Sequence, residues 1–191
     1  MSYGIKLLNS KGISLINDGE RVPMFHAKYS VSAGSGTLNT GIPSSELFCI
    51  PFTRGQILCN VVVSGGYYVV NYKALSSATV YVYRQANSTS STYGIQIFNS
   101  DGTLAYQNNN RSLSILAINP ALGASYSGKT LAVLPRVVNY NTVSAGGGLY
   151  KTYIRVACIS PGSPDTYSAY VSQTIPAEVQ VYIYGGSIPV I

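Results

Sequence analysis

The sequence predicts an all-β protein built from two tandem antiparallel β-sandwich domains that are related by internal duplication. The main observation is a repeat, because residues 3–12 read YGIKLLNSKG and residues 93–102, at an offset of 90, read YGIQIFNSDG. Short runs of Val, Ile and Tyr also recur at intervals of roughly 8 to 14 residues, separated by Gly, Pro and Asn, as is typical of strands joined by turns. No segment sustains apolar residues at helical spacing over three turns. Together these observations favour two sandwiches over a single barrel.

Each copy of the repeat is predicted to begin with a β-hairpin. In the first strand of the second copy, Tyr93, Ile95 and Ile97 alternate with small or polar residues and are expected to share the buried face. The Asn-Ser-x-Gly that follows suits a type I turn with Gly102 in the left-handed region. The same pattern in residues 3–12 predicts the same hairpin at the start of the chain.

The domain boundaries follow from the repeat and from a polar segment between its copies. Domain 1 is predicted over residues 1–86 and domain 2 over residues 93–191, joined by a small, polar linker at 87–92. Ser32 to Ser45 is rich in Gly and is predicted to be a loop. The other predicted strands are 24–31, 46–52, 56–63, 67–73 and 78–83 in domain 1, and 113–118, 130–140 with a break at Pro135, 149–159, 166–171 and 179–184 in domain 2.

The charge pattern argues against a nucleic-acid partner. The net charge is +6, from 12 Lys and Arg against 6 Asp and Glu, but the basic residues are scattered, whereas a phosphate-binding surface needs clustered cations. With 46% hydrophobic and only 9% charged residues, the surface is expected to be neutral or to be covered by neighbouring chains in an assembly. The start of the chain has no signal-peptide pattern and no apolar run is long enough for a membrane helix, so we expect synthesis in the cytosol and no membrane insertion.

Cysteine and histidine give no metal-site pattern. Apolar residues flank Cys49, Cys59 and Cys158, which are therefore predicted to be small buried side chains. An odd count defines no disulfide framework, so a bridge between Cys49 and Cys59 stays open. His26 is the only histidine, and it is interpreted as a core or edge residue of a strand. No metal and no cofactor are expected.

One motif suggests nucleotide chemistry, but its context does not. Residues 123–130, GASYSGKT, match the phosphate-loop pattern G-x-x-x-x-G-K-S/T. That loop binds phosphate only where a helix begins at its lysine, here Lys129, whereas the residues that follow are predicted to form a strand. Asp165, a candidate Mg²⁺ ligand, is expected in a turn, and Asp18 and Glu20 stand too close in sequence to flank a sugar bond. We expect no enzyme activity.

The sequence contains 17 Tyr and no Trp, and this excess of tyrosine is the most informative feature of its composition. Tyr81 and Tyr83 alternate with valines in the last strand of domain 1, and Tyr182 and Tyr184 alternate with aliphatic residues in the last strand of domain 2. If the aliphatic residues face the core, the tyrosines face outward. Such a row either stabilises its own sheet by cross-strand contacts or forms an interface, because Tyr combines a large contact area with a hydroxyl group. These four tyrosines are the predicted interface residues.

The opening of each copy resembles the N-terminal hairpin of small, β-rich minor tail proteins of tailed bacteriophages. The residues that carry the resemblance are Tyr3, Gly4, Ile5, Asn9 and Gly12, and again Tyr93, Gly94, Ile95, Asn99 and Gly102. The resemblance covers only the hairpins and brings no catalytic residues with it. It implies a structural part of the virion near the tail tip or the fibres that contact the host. The chain departs from the usual pattern because it carries the hairpin twice.

The resemblance and the composition predict a non-enzymatic structural component of a tailed-phage virion. It is expected to be a tail or tail-tip protein that docks to other tail or fibre subunits in several symmetric copies, assembled in the bacterial cytoplasm. Two alternatives remain, a protein that decorates the capsid and a module that binds a host-surface glycan. A glycan site needs aromatic residues beside Asn or Asp, and the candidates are Tyr140-Asn141 and Asp165-Thr166-Tyr167.

Overall fold

The computed structural model describes residues 7–8, 14–16, 22–85, 95–107, 113, 121–128, 130–135, 137–146, 149–162 and 165–172. These residues form antiparallel sheets and connecting turns and contain no helix, which confirms the all-β class. The predicted linker 87–92, the predicted strand 179–184 and all but the first residue of the predicted strand 113–118 lie outside the described residues.

Fourteen strands lie within the described residues. They are β1 (Leu7–Leu8), β2 (Ser14–Ile16), β3 (Pro23–Val31), β4 (Gly34–Pro43), β5 (Cys49–Arg54), β6 (Ile57–Ser64), β7 (Tyr67–Ala74), β8 (Ala78–Gln85), β9 (Gln96–Phe98), β10 (Leu104–Gln107), β11 (Ser125–Tyr126), β12 (Val137–Gly146), β13 (Leu149–Ser160) and β14 (Asp165–Ser172).

Strands β3 to β8 form two three-stranded antiparallel sheets, in the orders β3-β8-β5 and β4-β7-β6. The predicted hairpin between β6 and β7 is confirmed, because Ser64 pairs with Tyr67 and the two residues between them, Gly65 and Gly66, have φ of 58° and 82°. Positive φ at both central residues is typical of the two-residue turns whose twist matches that of the strands they join.

Residues from both sheets share one hydrophobic core. Val80 and Val82 of β8 are fully buried in it, as their alternation with Tyr81 and Tyr83 predicts. The buried members of this core are Val31, Ile42, Cys49, Ile57, Val70, Ala74, Ala78, Val80 and Val82. Burial of one valine side chain stabilises a fold by roughly 1.5 to 3 kcal/mol, so this cluster fixes the relative position of the two sheets.

Strand β4 lies where the sequence predicts a loop, across Ser32 to Ser45. Glycine is disfavoured in strands because it has no side chain to pack and loses much backbone entropy. In β4, however, Gly36 is paired with Tyr72 of β7, whose ring covers it so closely that an added Cβ would lie 2.6 Å from the tyrosine hydroxyl oxygen. The loop prediction is wrong because an aromatic ring on the neighbouring strand packs on the glycine.

The two copies of the repeat form hairpins with the same register. The paired residues are Leu7↔Ile16 and Leu8↔Ser14 between β1 and β2, and Ile97↔Tyr106 and Phe98↔Leu104 between β9 and β10. Each residue of the first hairpin therefore corresponds to the residue 90 positions later, and the register shift falls between the same two pairs in both copies. The shared register supports a duplication of this hairpin.

The turn of the second hairpin agrees with the prediction, whereas its burial agrees only in part. Gly102 has φ of 79°, and its N–H donates to the carbonyl oxygen of Asn99 over 2.9 Å. Ile97 is buried, but Ile95 is 63% exposed, so the expectation that both share a buried face is wrong. The reason is that β9 begins only at Gln96, which leaves Ile95 before the strand.

The second half of the described chain has a different sheet order. Strands β12, β13 and β14 pair in chain order and β11 adds to β14. The predicted strands 149–159 and 166–171 are confirmed as β13 and β14. The predicted strand 130–140 is only partly right, because Val133 forms an isolated bridge and the continuous strand begins at Val137.

Main-chain hydrogen bonds join the two predicted domains. Thr53 of β5 and Val133 each donate an N–H to the other's carbonyl oxygen, with both N···O distances at 2.8 Å. The N–H of Gly55 donates to the carbonyl oxygen of Ile159 in β13 over 2.9 Å. These bonds cover part of the edge of β5, a position that would otherwise be open to pairing with another chain. The division into domains at 87–92 stays a prediction.

Candidate functional site

The outer face of the β3-β8-β5 sheet is aromatic. Because Val80 and Val82 face the core, Tyr81 and Tyr83 lie on the opposite face of β8, as predicted. Their cross-strand neighbours complete a surface that we call the aromatic face, and its members are Phe25, Ile50, Phe52, Tyr81 and Tyr83. All five side chains are half-buried. Each of them is therefore partly covered and still partly exposed to the surroundings.

Tyr83 is the centre of the ring contacts on this face. Its ring meets Phe25 with centroids 5.8 Å apart and an interplanar angle of 75°, and it meets Phe52 at 5.4 Å and 77°. Both are edge-to-face arrangements, in which the positive edge of one ring meets the negative face of the other. Burial raises the pKa of Tyr83, and the nearby Tyr81 phenol adds to this effect. The phenol therefore stays neutral and able to donate a hydrogen bond at neutral pH.

A β-bulge explains why Phe25 belongs to the aromatic face. Phe25 pairs with Tyr83 and Ala27 pairs with Val82, so His26 is the extra residue. The bulge shifts the alternation of β3, so that Phe25 faces outward while Tyr29, four residues later, packs against the core. The imidazole of His26 forms a hydrogen bond with the carbonyl oxygen of Thr40 at 2.7 Å. The interpretation of His26 as a strand residue is confirmed.

Two cations lie at the margin of the aromatic face. The Nζ of Lys28 is 5.9 Å from the centroid of the Tyr81 ring, within the range of a cation–π contact, and its side chain is exposed. Arg54 follows Phe52 on β5 by two residues and shares its face. The hydrogen bonds that Arg54 donates to Asp165 raise the pKa of the guanidinium, and the Tyr81 phenol contributes to the same shift.

Only two of the four predicted interface residues lie within the described part of the chain. Tyr81 and Tyr83 lie together on the aromatic face, whereas Tyr182 and Tyr184 are outside the described residues. The role of all four as interface residues stays a prediction. Phe25 and Phe52 were not predicted, although outward alternation with Pro51 and Thr53 in β5 is a signal that would have found Phe52.

Tyr83→Leu tests how much the aromatic face stabilises its own sheet. The change removes two edge-to-face contacts, so we expect the free energy of unfolding to fall by about 1 to 2 kcal/mol in urea denaturation. Tyr81→Leu is the matched control, and its expected loss is below about 1 kcal/mol because it removes a single exposed cation–π contact. Equal losses in the two variants would contradict the assignment of the ring contacts to Tyr83.

An ion pair between the partly exposed Arg54 and the buried Asp165 links β5 to β14 at the margin of this face. The Nε of Arg54 donates to Oδ2 of Asp165 over 3.1 Å and its Nη2 donates to Oδ1 over 2.7 Å. The side chain of Asp165 is only 3% exposed, and the N–H groups of Leu131 and Gly162 also donate to it, over 3.0 Å and 3.1 Å. The expectation that Asp165 sits in a turn is wrong, because it is the first residue of β14.

Acid should weaken this ion pair. The hydrogen bonds from Arg54 are the main reason that the pKa of Asp165 falls from 3.8 to about 2. A lowered pKa in the folded state contributes stability that is fully present above the unfolded value and is lost as the pH falls towards the folded value. We therefore expect about 2 kcal/mol of stability to be lost between roughly pH 4 and pH 2. Denaturation curves across this range should show the loss in the natural sequence and not in Asp165→Asn.

The three cysteines are packing residues of the fold and not reactive or metal-binding groups among the described residues. Cys49 and Cys158 are buried, Cys59 is half-buried, and all three are free thiols, so the open possibility of a Cys49–Cys59 bridge is not realised. Burial raises the pKa of Cys49 to about 11 and that of Cys59 to about 12, which leaves both thiols protonated and unreactive at neutral pH. The described part of the chain contains no group of three His, Cys, Asp or Glu side chains that could hold a metal ion.

The residues that match the phosphate-loop pattern are not followed by a helix within the described residues. Residues 125–126 form strand β11, and residues 130–135 are non-helical. The N–H of Gly123, the first glycine of the motif, donates to the carbonyl oxygen of Tyr167 over 2.8 Å. This N–H group is therefore already engaged in a hydrogen bond within the fold. Lys129 lies outside the described residues.

One candidate glycan site is not available for binding. Asp165 and Tyr167 are each 3% exposed, so Asp165-Thr166-Tyr167 offers no aromatic platform to a sugar. Tyr140 and Asn141 lie within strand β12. Asp18 and Glu20 lie outside the described residues.

Comparison with protein-family models, curated proteins and solved structures finds no match to this chain. The resemblance to phage minor tail proteins therefore stays a prediction from the hairpin residues. No described segment is a helix of the length and apolarity needed to cross a membrane.

Proposed function

We propose that this chain is a non-enzymatic structural component of a tailed-phage virion, a tail or tail-tip protein that docks to other tail or fibre subunits. The observation that carries the proposal is the aromatic face, where Phe25 and Phe52 are in ring contact with Tyr83 and where these three rings and Tyr81 are partly exposed. Aromatic side chains are enriched at protein interfaces, whereas a surface used only for contact with water is usually charged.

The energetics of the aromatic face suit docking to a protein. Phe25, Phe52 and Tyr83 are already held by edge-to-face contacts, so little side-chain entropy remains to be lost on binding. The phenol of Tyr81 offers a hydroxyl group to a partner beside its apolar ring. Rigid, partly exposed aromatic residues of this kind form the centres of many interfaces.

The proposed architecture is two tandem sandwiches that arose by duplication. The first comprises the hairpin β1–β2 and the two sheets that share the core around Val80 and Val82. The second begins with the hairpin β9–β10, which has the register of the first at an offset of 90 residues, and continues with the sheet β11-β14-β13-β12. A duplicated module would give the particle two related docking units in one chain.

The proposal places the chain in the virion after assembly in the bacterial cytoplasm. It requires no cofactor, no nucleic-acid partner and no membrane insertion, and it expects several copies arranged by the symmetry of the particle. Attachment to the capsid instead of the tail would use the same surface and the same chemistry. No observation favours the glycan-binding alternative, since the residues of one of its candidate sites are buried.

Mass spectrometry of purified particles tests the proposed function. Particles banded by density from cells that produce this chain should contain it at a fixed ratio to the tail proteins, and tails separated from heads should retain it. Recovery in the head fraction would support the capsid-decorating alternative. Its absence from washed particles would contradict a structural role in the virion.

A further inference from the structure

The aromatic face carries one positive charge that no acid among the described residues balances. Across the sheet, Lys28 pairs with Tyr81, and Tyr81 pairs with Phe52. Lys28 is exposed, and its Nζ lies 5.9 Å from the centroid of the Tyr81 ring, which is its one polar or cation–π contact among the described residues. The second cation at this face, Arg54, is neutralised by Asp165. The net charge of the face is therefore one positive charge next to an apolar surface.

The described acids are all engaged away from Lys28. Glu46 forms an ion pair with Arg84, and Asp165 forms one with Arg54. Asp101 accepts hydrogen bonds from the N–H and the hydroxyl of Thr103 in the β9–β10 turn. No acid of the described chain is thus placed to pair with Lys28.

We propose that the partner of the aromatic face is a different protein subunit, one that presents apolar or aromatic side chains beside a carboxylate that pairs with Lys28. This inference rests on the proposed function, because it names the partner of the same surface. The apolar side chains of the partner would cover Phe52 and Tyr81, and its carboxylate would lie at the rim, where Lys28 is exposed. Opposite charges placed in this way steer association and fix the orientation of the two surfaces.

A second copy of this chain fits the same face less well. Two identical faces that meet across a two-fold axis bring their two Lys28 side chains into one interface, and no acid among the described residues faces Lys28 there. The whole chain also has 12 basic against 6 acidic residues, so copies of it repel one another. Charge complementarity therefore selects an acidic partner.

Cross-linking in assembled particles tests this inference. The photoreactive residue p-benzoylphenylalanine replaces Phe52, and particles are irradiated, digested and analysed by mass spectrometry. A water-soluble carbodiimide, which couples amines directly to carboxylates, is applied to particles with the natural sequence. We expect the Phe52 position to cross-link to another virion protein, and Lys28 to be coupled to an Asp or Glu of that same protein. Lys28→Arg should lose the amide cross-link, because a guanidinium does not form an amide with a carbodiimide-activated carboxylate.

Two variants with the same change in net charge complete the test. Lys28→Gln removes one positive charge at the aromatic face, and Ser76→Glu adds one negative charge in an exposed turn between β7 and β8. We expect Lys28→Gln to lower the rate at which the chain associates with its partner during particle assembly about tenfold and to weaken the salt dependence of that rate. Ser76→Glu should leave the rate close to that of the natural sequence.

The outcomes separate this inference from the proposed function. A cross-link from position 52 to another copy of this chain, or Lys28→Gln particles that assemble at the natural rate, would overturn the acidic partner and leave the structural role intact. A chain that is missing from particles in every variant and in the natural sequence would overturn the structural role itself.

Discussion

Replacement of Asp165 by alanine should lower the free energy of unfolding by about 3 kcal/mol. The change leaves the guanidinium of Arg54 without its two hydrogen bonds and removes the acceptor for the N–H groups of Leu131 and Gly162. Removing one partner of a buried ion pair typically costs about 3 to 5 kcal/mol. The lower end applies because the side chain of Arg54 is 27% exposed and water can reach it. Urea denaturation measures the loss.

A double-mutant cycle shows whether the ion pair is the cause. Arg54→Leu, alone and combined with Asp165→Ala, should give a double variant that is more stable than the sum of the two single losses predicts. Asp101→Asn is the control, because it removes an exposed acid and keeps the oxygen that accepts from Thr103, and its expected effect is below about 0.5 kcal/mol. Additive losses for Arg54 and Asp165 would contradict the interaction.

Gly55→Ala should lower the free energy of unfolding by about 2 to 4 kcal/mol. Gly55 has φ of 105°, a conformation that side chains disfavour, and an added Cβ would lie 3.0 Å from Cβ of Ala78 and 3.2 Å from its Cα. The main chain of Ala78 cannot move away easily, because its residue begins strand β8 and packs in the core. The thermal unfolding midpoint should fall accordingly.

Gly34→Ala separates backbone strain from steric overlap. Gly34 has a similar φ of 122°, but nothing lies within 4 Å of an added Cβ. We expect a loss of about 1 to 2 kcal/mol there, from strain alone. If Gly34→Ala destabilised the protein as much as Gly55→Ala, the close approach of Gly55 to Ala78 would not be the reason for its effect.

Local sequence patterns predicted correctly those features of the fold that depend on residues close together in the chain. Alternation in 78–83 predicted which side of β8 is buried, and Gly-Gly between two apolar runs predicted the β6–β7 turn. The 90-residue repeat predicted both hairpins, down to the left-handed glycine at Gly102. In each case the turn chemistry and the side-chain period lie within a short stretch of chain.

The remaining features depend on residues far apart in sequence. Strand β4 was missed because Tyr72, not a neighbour of Gly36 along the chain, packs on that glycine. The role of Asp165 was missed because its partner, Arg54, lies 111 residues earlier. Phe25 was not assigned to the aromatic face because the bulge at His26 changes the alternation of β3. No window of local sequence contains these relations.

We propose that the aromatic face docks this chain into a larger particle, and incorporation of a variant of that face is the sharpest test of this role. Phe52→Thr combined with Tyr81→Thr keeps β-forming residues in β5 and β8 and removes two rings from the face. Unfolding curves and circular dichroism establish that the variant is folded. We expect a folded variant whose amount in purified particles falls at least about tenfold, because central aromatic contacts are lost. A folded variant that is incorporated as well as the natural sequence would contradict it.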